Sequence, residues 1–348
     1  MLSRVASNVF WMSRYIERAE NVARFLEVHQ SVSLRDSDPG AQWGAMIKAG
    51  GAEDLFAKTG REPTGQNVLH FLMFDRQNPS SIVSCVEQAR ENARTVRESI
   101  SNPMWDEVQR MRTLLQGAAN ESKIFTRPAE FLTQVRRSSH AMFGVTNTTL
   151  SHDDTFHFAK IGRTLERADM TSRILDVKYY LILPNGAADI GTPVDTVHWT
   201  ALLKSGSALQ MYRQRHGRIR PRRVAEFLLL DRDFPRSAAF CLAEAESSLH
   251  VITGTPEGQF RNRPEQLLGR LRSNLQFSDI EDFFEDGLHE SINDLQIKIN
   301  DIGGAIGEQF FSLRSNRPKA RQSQSQSQSS GGTSQTQSQM QGVSGPST

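Results

Sequence analysis

The chain has 348 residues, with 41 Lys or Arg against 39 Asp or Glu for a net charge of +2, and a mean hydropathy of −0.48. A charge this balanced creates no global field for a nucleic-acid backbone, so nucleic acid is an unlikely partner, and no apolar run approaches the roughly 18–20 residues that cross a bilayer. Two cysteines without a CxxC spacing supply neither a disulfide framework nor a thiolate zinc site.

The start, Met1-Leu2-Ser3-Arg4-Val5, leads into an amphipathic segment with no signal-peptide core, so the cytoplasm is the default expectation. Over about residues 3–35, Val5, Val9, Met12, Ile16, Ala19, Ala23 and Leu26 recur at helical spacing. The opposite face collects Arg14, Glu17, Arg18, Asn21 and Arg24, with Phe10 and Phe25 among them. A second helix is predicted over 79–101, with Pro79 in its first turn behind Asn78 as the capping residue. It carries Glu91-Asn92-Ala93-Arg94, whose polar side chains either face the same cleft as Glu17 or pair on the surface.

His152, Asp153, Asp154 and His157 precede a further helix. They resemble a small metal cluster, but acidic residues at a helix start more often cap it. Between Arg213 and Arg223 six arginines crowd together: Arg213, Arg215, Arg218, Arg220, Arg222 and Arg223. This stretch either grips an anionic ligand or is a solvated interhelical loop. A last helix over about 287–313 spaces Leu288, Ile292, Leu295, Ile299, Ile302, Ile306 and Phe310 by threes and fours. Gly303, Gly304 and Gly307 within it permit close helix approach. From Gln322 to Gln339 only Gln, Ser, Gly and Thr occur, a composition that predicts a disordered tail over 316–348.

The chain also resembles itself. Arg14-Tyr15-Ile16-Glu17-Arg18-Ala19-Glu20 returns as Arg163-Thr164-Leu165-Glu166-Arg167-Ala168-Asp169, and Arg24 returns as Arg173. Phe71-Leu72-Met73-Phe74-Asp75-Arg76 returns as Phe227-Leu228-Leu229-Leu230-Asp231-Arg232, followed in both copies by a proline (Pro79, Pro235) and a cysteine (Cys85, Cys241). The prediction is an all-α helical bundle of two repeat-related halves with pseudo-two-fold symmetry. Its parts are a first half over 1–125, a connecting helix over 126–150 and a second half over 151–315 that includes the long C-terminal helix. The two cysteines fall in one register on an apolar face, where a small hydrophobe packs well.

Both copies keep R-x-x-E-R-A-[DE]-x-x-x-R while other polar positions drift: Asn21 becomes Met170. An exposed ion pair is worth only about 0–1 kcal/mol, too little to explain that retention. The two Glu-Arg faces are therefore expected to be buried, with Arg14–Glu17 and Arg163–Glu166 neighbours at i,i+3. One reading is a buried Glu–Arg network that fixes the register between halves. The other is a cleft in which Glu17 or Glu166 acts as acid or base and Arg14, Arg18, Arg24, Arg163, Arg167, Arg173, Asn92 and Arg94 hold an anionic substrate. No GxxxxGK[ST], HExxH, GxSxG or Glu-x-x-His occurs, so neither a cofactor nor a metal is implied.

Ser3-Arg4-Val5-Ala6 with Trp11-Met12-Ser13-Arg14-Tyr15-Ile16-Glu17-Arg18-Ala19-Glu20-Asn21 resembles the N-terminal signature of the bacterial alpha-E domain family. Gly162-Arg163 with Leu165-Glu166-Arg167-Ala168-Asp169 resembles its central signature, and Glu91-Asn92-Ala93-Arg94 and 227–235 fit as well. The resemblance spans about 1–313 and departs at Ser7, where the family has an acidic residue. It implies an all-helical protein encoded beside an ATP-grasp peptide-ligase-like protein and a transglutaminase-like protease, and so an accessory component of a peptide synthesis or modification system. An enzyme acting on a peptide or amide through the ER glutamates, and a purely structural adaptor, are the alternatives.

Overall fold

The computed structural model describes residues 2–33, 43–44, 46–47, 51–119, 124–125, 127–182 and 193–312. The predicted tail, 316–348, lies outside the described residues. Those residues are helical throughout, with no strand among them. The first half holds α1 (Ser3–Ser33), α2 (Glu53–Ala57), α3 (Gly65–Met73), α4 (Ile82–Thr95) and α5 (Asn102–Ala119). Then come α6 (Ala129–Thr149), α7 (Asp154–Ile182), α8 (Pro193–Ser205), α9 (Leu209–His216) and α10 (Pro221–Leu229). The chain continues through α11 (Ala238–Thr253), α12 (Arg263–Phe277), α13 (Ile280–Glu285) and α14 (Leu288–Ile306), which ends in a π turn at Gly307–Phe311.

The helix starts follow local chemistry. Thr64, Ser81, Ser237 and Asn262 each cap a helix, their side-chain oxygens accepting backbone N–H groups two or three residues on. Asp279 and Asp282 close a reciprocal capping box on α13. The predicted helix over 79–101 is shorter than its periodicity suggests. It begins at Ile82 and ends at Thr95, followed by a 3-10 turn at Arg97–Ser99. Asn78 is not its cap: its side chain closes the preceding turn, donating to the Phe71 carbonyl at 3.1 Å and accepting from Ser80 N at 3.0 Å. That leaves Ser81 Oγ to accept from Ser84 N.

Two apolar clusters form the core. Val9, Met12, Ile16, Ala19, Ala23 and Leu26 of α1 join residues of α3, α4, α5 and α6 in the first. Ala6 and Phe10, on the other side of α1, join α7, α10, α11, α12 and α14 in the second. Helix α1 is thus covered on both sides, packing against α4, α6 and α7, while α7 packs against α1, α11 and α14. The predicted connecting helix corresponds to α6, whose Phe131, Leu132, Val135 and Met142 belong to the first cluster.

Several local details recur 156 residues apart. Ser81 and Ser237 cap α4 and α11. Asp75 Oδ1 accepts from Gln77 N as Asp231 Oδ1 accepts from Asp233 N. Cys85 Sγ donates to the Pro79 carbonyl and Cys241 Sγ to the Pro235 carbonyl, both thiols fully buried. No described helix is long and apolar enough to cross a membrane.

Candidate functional site: the buried glutamate–arginine centre

The site lies where α1 and α7 pack together. Gly162 permits the close approach, since a Cβ there would collide with the backbone carbonyl of Phe10. At that separation the Glu-Arg dipeptide of each helix reaches the other. Glu166, fully buried, accepts from Arg18 Nε at 2.5 Å and Arg18 Nη2 at 3.1 Å, and from Arg14 Nε at 2.8 Å. Glu17, 3% exposed, accepts from Arg167 Nε and Nη2, both at 2.8 Å. Each arginine therefore grips the other helix's glutamate in a two-pronged fork, the strongest form of this pair.

This pairing replaces the i,i+3 contacts expected from spacing. Arg14 bonds Glu166, and Arg163 bonds neither glutamate: its guanidinium lies 4.0 Å over the Phe143 ring, and its Nε is buried without a hydrogen-bond partner. The facing helix passes close enough at Gly162 to take the forks instead.

A further layer surrounds Glu17. Arg236 Nη1 donates to Glu17 Oε1 at 3.2 Å, and Arg236 Nη2 to both oxygens of Glu20 at 3.2 Å. Arg24, 1% exposed, pairs with Glu20 one turn back and donates from Nη1 to the Ser205 carbonyl at 3.2 Å. Asp169 holds Arg173 within α7 through Arg173 Nε at 2.8 Å, one turn beyond the glutamates. Arg236 went unrecognised in the sequence because it sits in the turn before α11, off any helical face, and its register counterpart is Ser80. The one available signal was its place immediately after the repeated proline.

Electrostatics follows from this geometry. Burial alone would raise the Glu17 carboxyl, but Arg167 and Arg236 hold it well below the usual carboxylate range. Burial likewise opposes charge on Glu166, and Arg18 and Arg14 outweigh it, again lowering the carboxyl. Arg18 and Arg167 are pushed up by the glutamates they grip, against the effect of burial. The others are short of anions: burial and then Arg167 bring Arg163 down to about 10, and burial brings Arg236 down to about 10 despite Glu17. A general acid or base needs a pKa near the working pH. Two carboxylates locked in the ionised state do not meet that need.

The remaining candidates lie elsewhere. Asn92 and Arg94 do not reach the centre: Arg94 is exposed on α4 and pairs with Glu91 at 2.8 Å. Asp153 Oδ1 accepts from Thr155 N at the start of α7, and His152 stacks on Phe156. No group of three or more His, Cys, Asp or Glu side chains among the described residues is placed to hold a metal ion. Of the arginine cluster, Arg215 pairs with Asp231 and Asp233, Arg222 with Glu281 and Arg223 with Glu226. Buried Tyr212 pins the loop, its hydroxyl donating to the Arg218 carbonyl and accepting from Arg220 N. A cavity of about 310 Å³ lies away from the centre against α11 and α12, where Phe240, Glu246, His250 and Arg272 line it.

The profile of the Alpha-E family, "a predicted alpha-helical domain with a conserved ER motif", matches residues 1–311. The chain belongs to the Alpha-E family. Its similarity to curated relatives is more distant. An uncharacterized protein of Mycobacterium bovis and one of Mycobacterium tuberculosis strain H37Rv are each 24% identical over 314 residues, covering 84% of this chain. The Alpha-E chain spans only about a third of those relatives, 34% of each. No solved structure matches it.

Proposed function

We propose that this Alpha-E protein is a helical accessory component of a peptide synthesis or modification system, working beside an ATP-grasp peptide-ligase-like protein and a transglutaminase-like protease. Its two Glu-Arg dipeptides are read as the family's ER motif, acting as a structural lock. The carrying observation is the closed centre: both glutamates are buried and held ionised by forked arginines from the opposite helix. Such a lock fixes how α1 and α7 meet, and removing one partner strands a buried charge. The recurring caps, turns and thiol contacts support reading the two halves as repeat-related about a pseudo-two-fold axis. The mycobacterial relatives, in which the matched segment is a third of a longer chain, support a module that acts together with other protein.

An enzyme using Glu17 or Glu166 as acid or base is the weaker reading, because the forked arginines of the facing helix hold both carboxylates ionised. The test is to mix the full chain with the neighbouring ligase-like protein, measure binding by calorimetry and analyse the ligase products by mass spectrometry. Binding together with an altered product distribution is expected. No binding and unchanged products would remove the proposal.

A further inference from the structure

Beside the Glu17 side of the centre, α1, α6 and α7 enclose a recess of about 50 Å³. Arg163, Arg167, Arg236, His140 and the arginine-held Glu17 line it on the polar side, and Met142 and Phe143 on the apolar side. Its rim reaches solvent, because the His140 side chain is 62% exposed and Phe143 is 42% exposed.

Three observations converge on it. The first is charge: among the described residues Arg24, Arg167 and Arg236 pair with Glu17 and Glu20 and Arg163 with no carboxylate, so these four guanidiniums outnumber their carboxylates by two. The second is an unmet donor. Arg163 lines the recess, and its Nε is buried without a hydrogen-bond partner. Leaving a buried donor unsatisfied costs about 1–3 kcal/mol, and more for a charged group. The third is preorganisation: the Phe143 ring beneath the guanidinium fixes its plane.

We propose that this recess binds the carboxylate of a small organic acid or of a peptide C-terminus, with Arg163 and Arg236 clamping the oxygens and Phe143 and Met142 covering the adjoining carbon chain. At roughly 10–15 Å³ for each water-sized group, the recess has room for about four, enough for a carboxylate head whose carbon chain leaves over the exposed Phe143 rim. The inference stands whether or not the protein works beside a ligase.

The test is calorimetric titration of the full chain with sodium butyrate, butyramide, sodium phosphate, and trialanine with a free or an amidated C-terminus. Butyrate is expected to bind one-to-one with a Kd at or below about 1 mM, and butyramide not to saturate. Arg163→Met is expected to weaken butyrate about tenfold, equivalent to about 1.4 kcal/mol. This variant removes a buried cation but no ion pair, so its melting temperature is expected to hold. Should it fail to fold, Phe143→Ala at the exposed rim reads the same site through a loss of about two- to fivefold. Free trialanine binding more tightly than butyrate assigns the site to a peptide end, and the reverse order assigns it to a small acid. The inference is overturned by absence of saturable butyrate binding, by equal binding of butyramide, by tighter binding of phosphate, or by unchanged affinity in the folded variants.

Discussion

Replacing Glu166 with Gln removes one charge from the middle of the α1–α7 contact while keeping its shape. The wild-type carboxylate takes three hydrogen bonds from Arg14 and Arg18, whose side chains are 6% and 19% exposed. In the variant two cations remain with no anion between them, and a glutamine nitrogen points a donor at donors. Breaking one partner of a buried pair in this way costs about 3–5 kcal/mol. For a large domain, at roughly 2–4 °C per kcal/mol, the melting temperature is expected to fall by at least about 6 °C. Thermal unfolding followed by circular dichroism measures it. Adding Arg14→Met to Glu166→Gln is expected to recover part of the loss, giving a coupling of about 0.5–3 kcal/mol between these contacting residues. Glu17 and Glu166 share no arginine, so their two Gln substitutions are expected to combine more nearly additively than the Arg14–Glu166 pair. A Glu166→Gln protein within about 0.5 kcal/mol of wild type, the range of an ordinary surface change, would refute the lock and return the glutamates to candidate catalysts.

The carboxylates also predict acid sensitivity. Both titrate below the ordinary value when folded and near about 4.3 when unfolded, so their contribution is complete above about pH 5 and is lost as pH falls toward the folded values. The urea midpoint is expected to drop steeply over that acid range, and a flat profile down to pH 3 would contradict it. Gly162→Ala forces a methyl group against the Phe10 backbone and is expected to cost about 1–3 kcal/mol; a neutral effect in the same unfolding assay would show that α1 and α7 have room to spare. Cys85 and Cys241 are fully buried, and burial pushes both thiols up to about 12. A maleimide is therefore expected to label neither in native buffer and both after denaturation, and rapid native labelling would place the thiols at the surface.

The sequence alone marked the long helices α1, α4 and α14 and most of their apolar faces, because both follow from periodicity along one helix. The spacing of Ile292, Leu295, Ile299, Ile302 and Ile306 specified the buried stripe of α14 without knowledge of its neighbours. The doubled Glu-Arg pattern marked α1 and α7, since charges retained in both copies exceed what surface pairing is worth. Tertiary structure decided the partners. Arg14 and Arg163 occupy equivalent positions, yet one bonds Glu166 and the other stacks on Phe143 with a free buried donor. Arg236, from a turn with no periodic signal, supplies the bond to Glu17 that Arg163 does not. Arg94, equally polar in sequence, stays on the surface of α4, and Asn92 beside it is half-buried. A side chain's direction is fixed by its own helix. Which charge it meets depends on how closely two distant helices pass, and here Gly162 set that distance through the one Cβ it lacks.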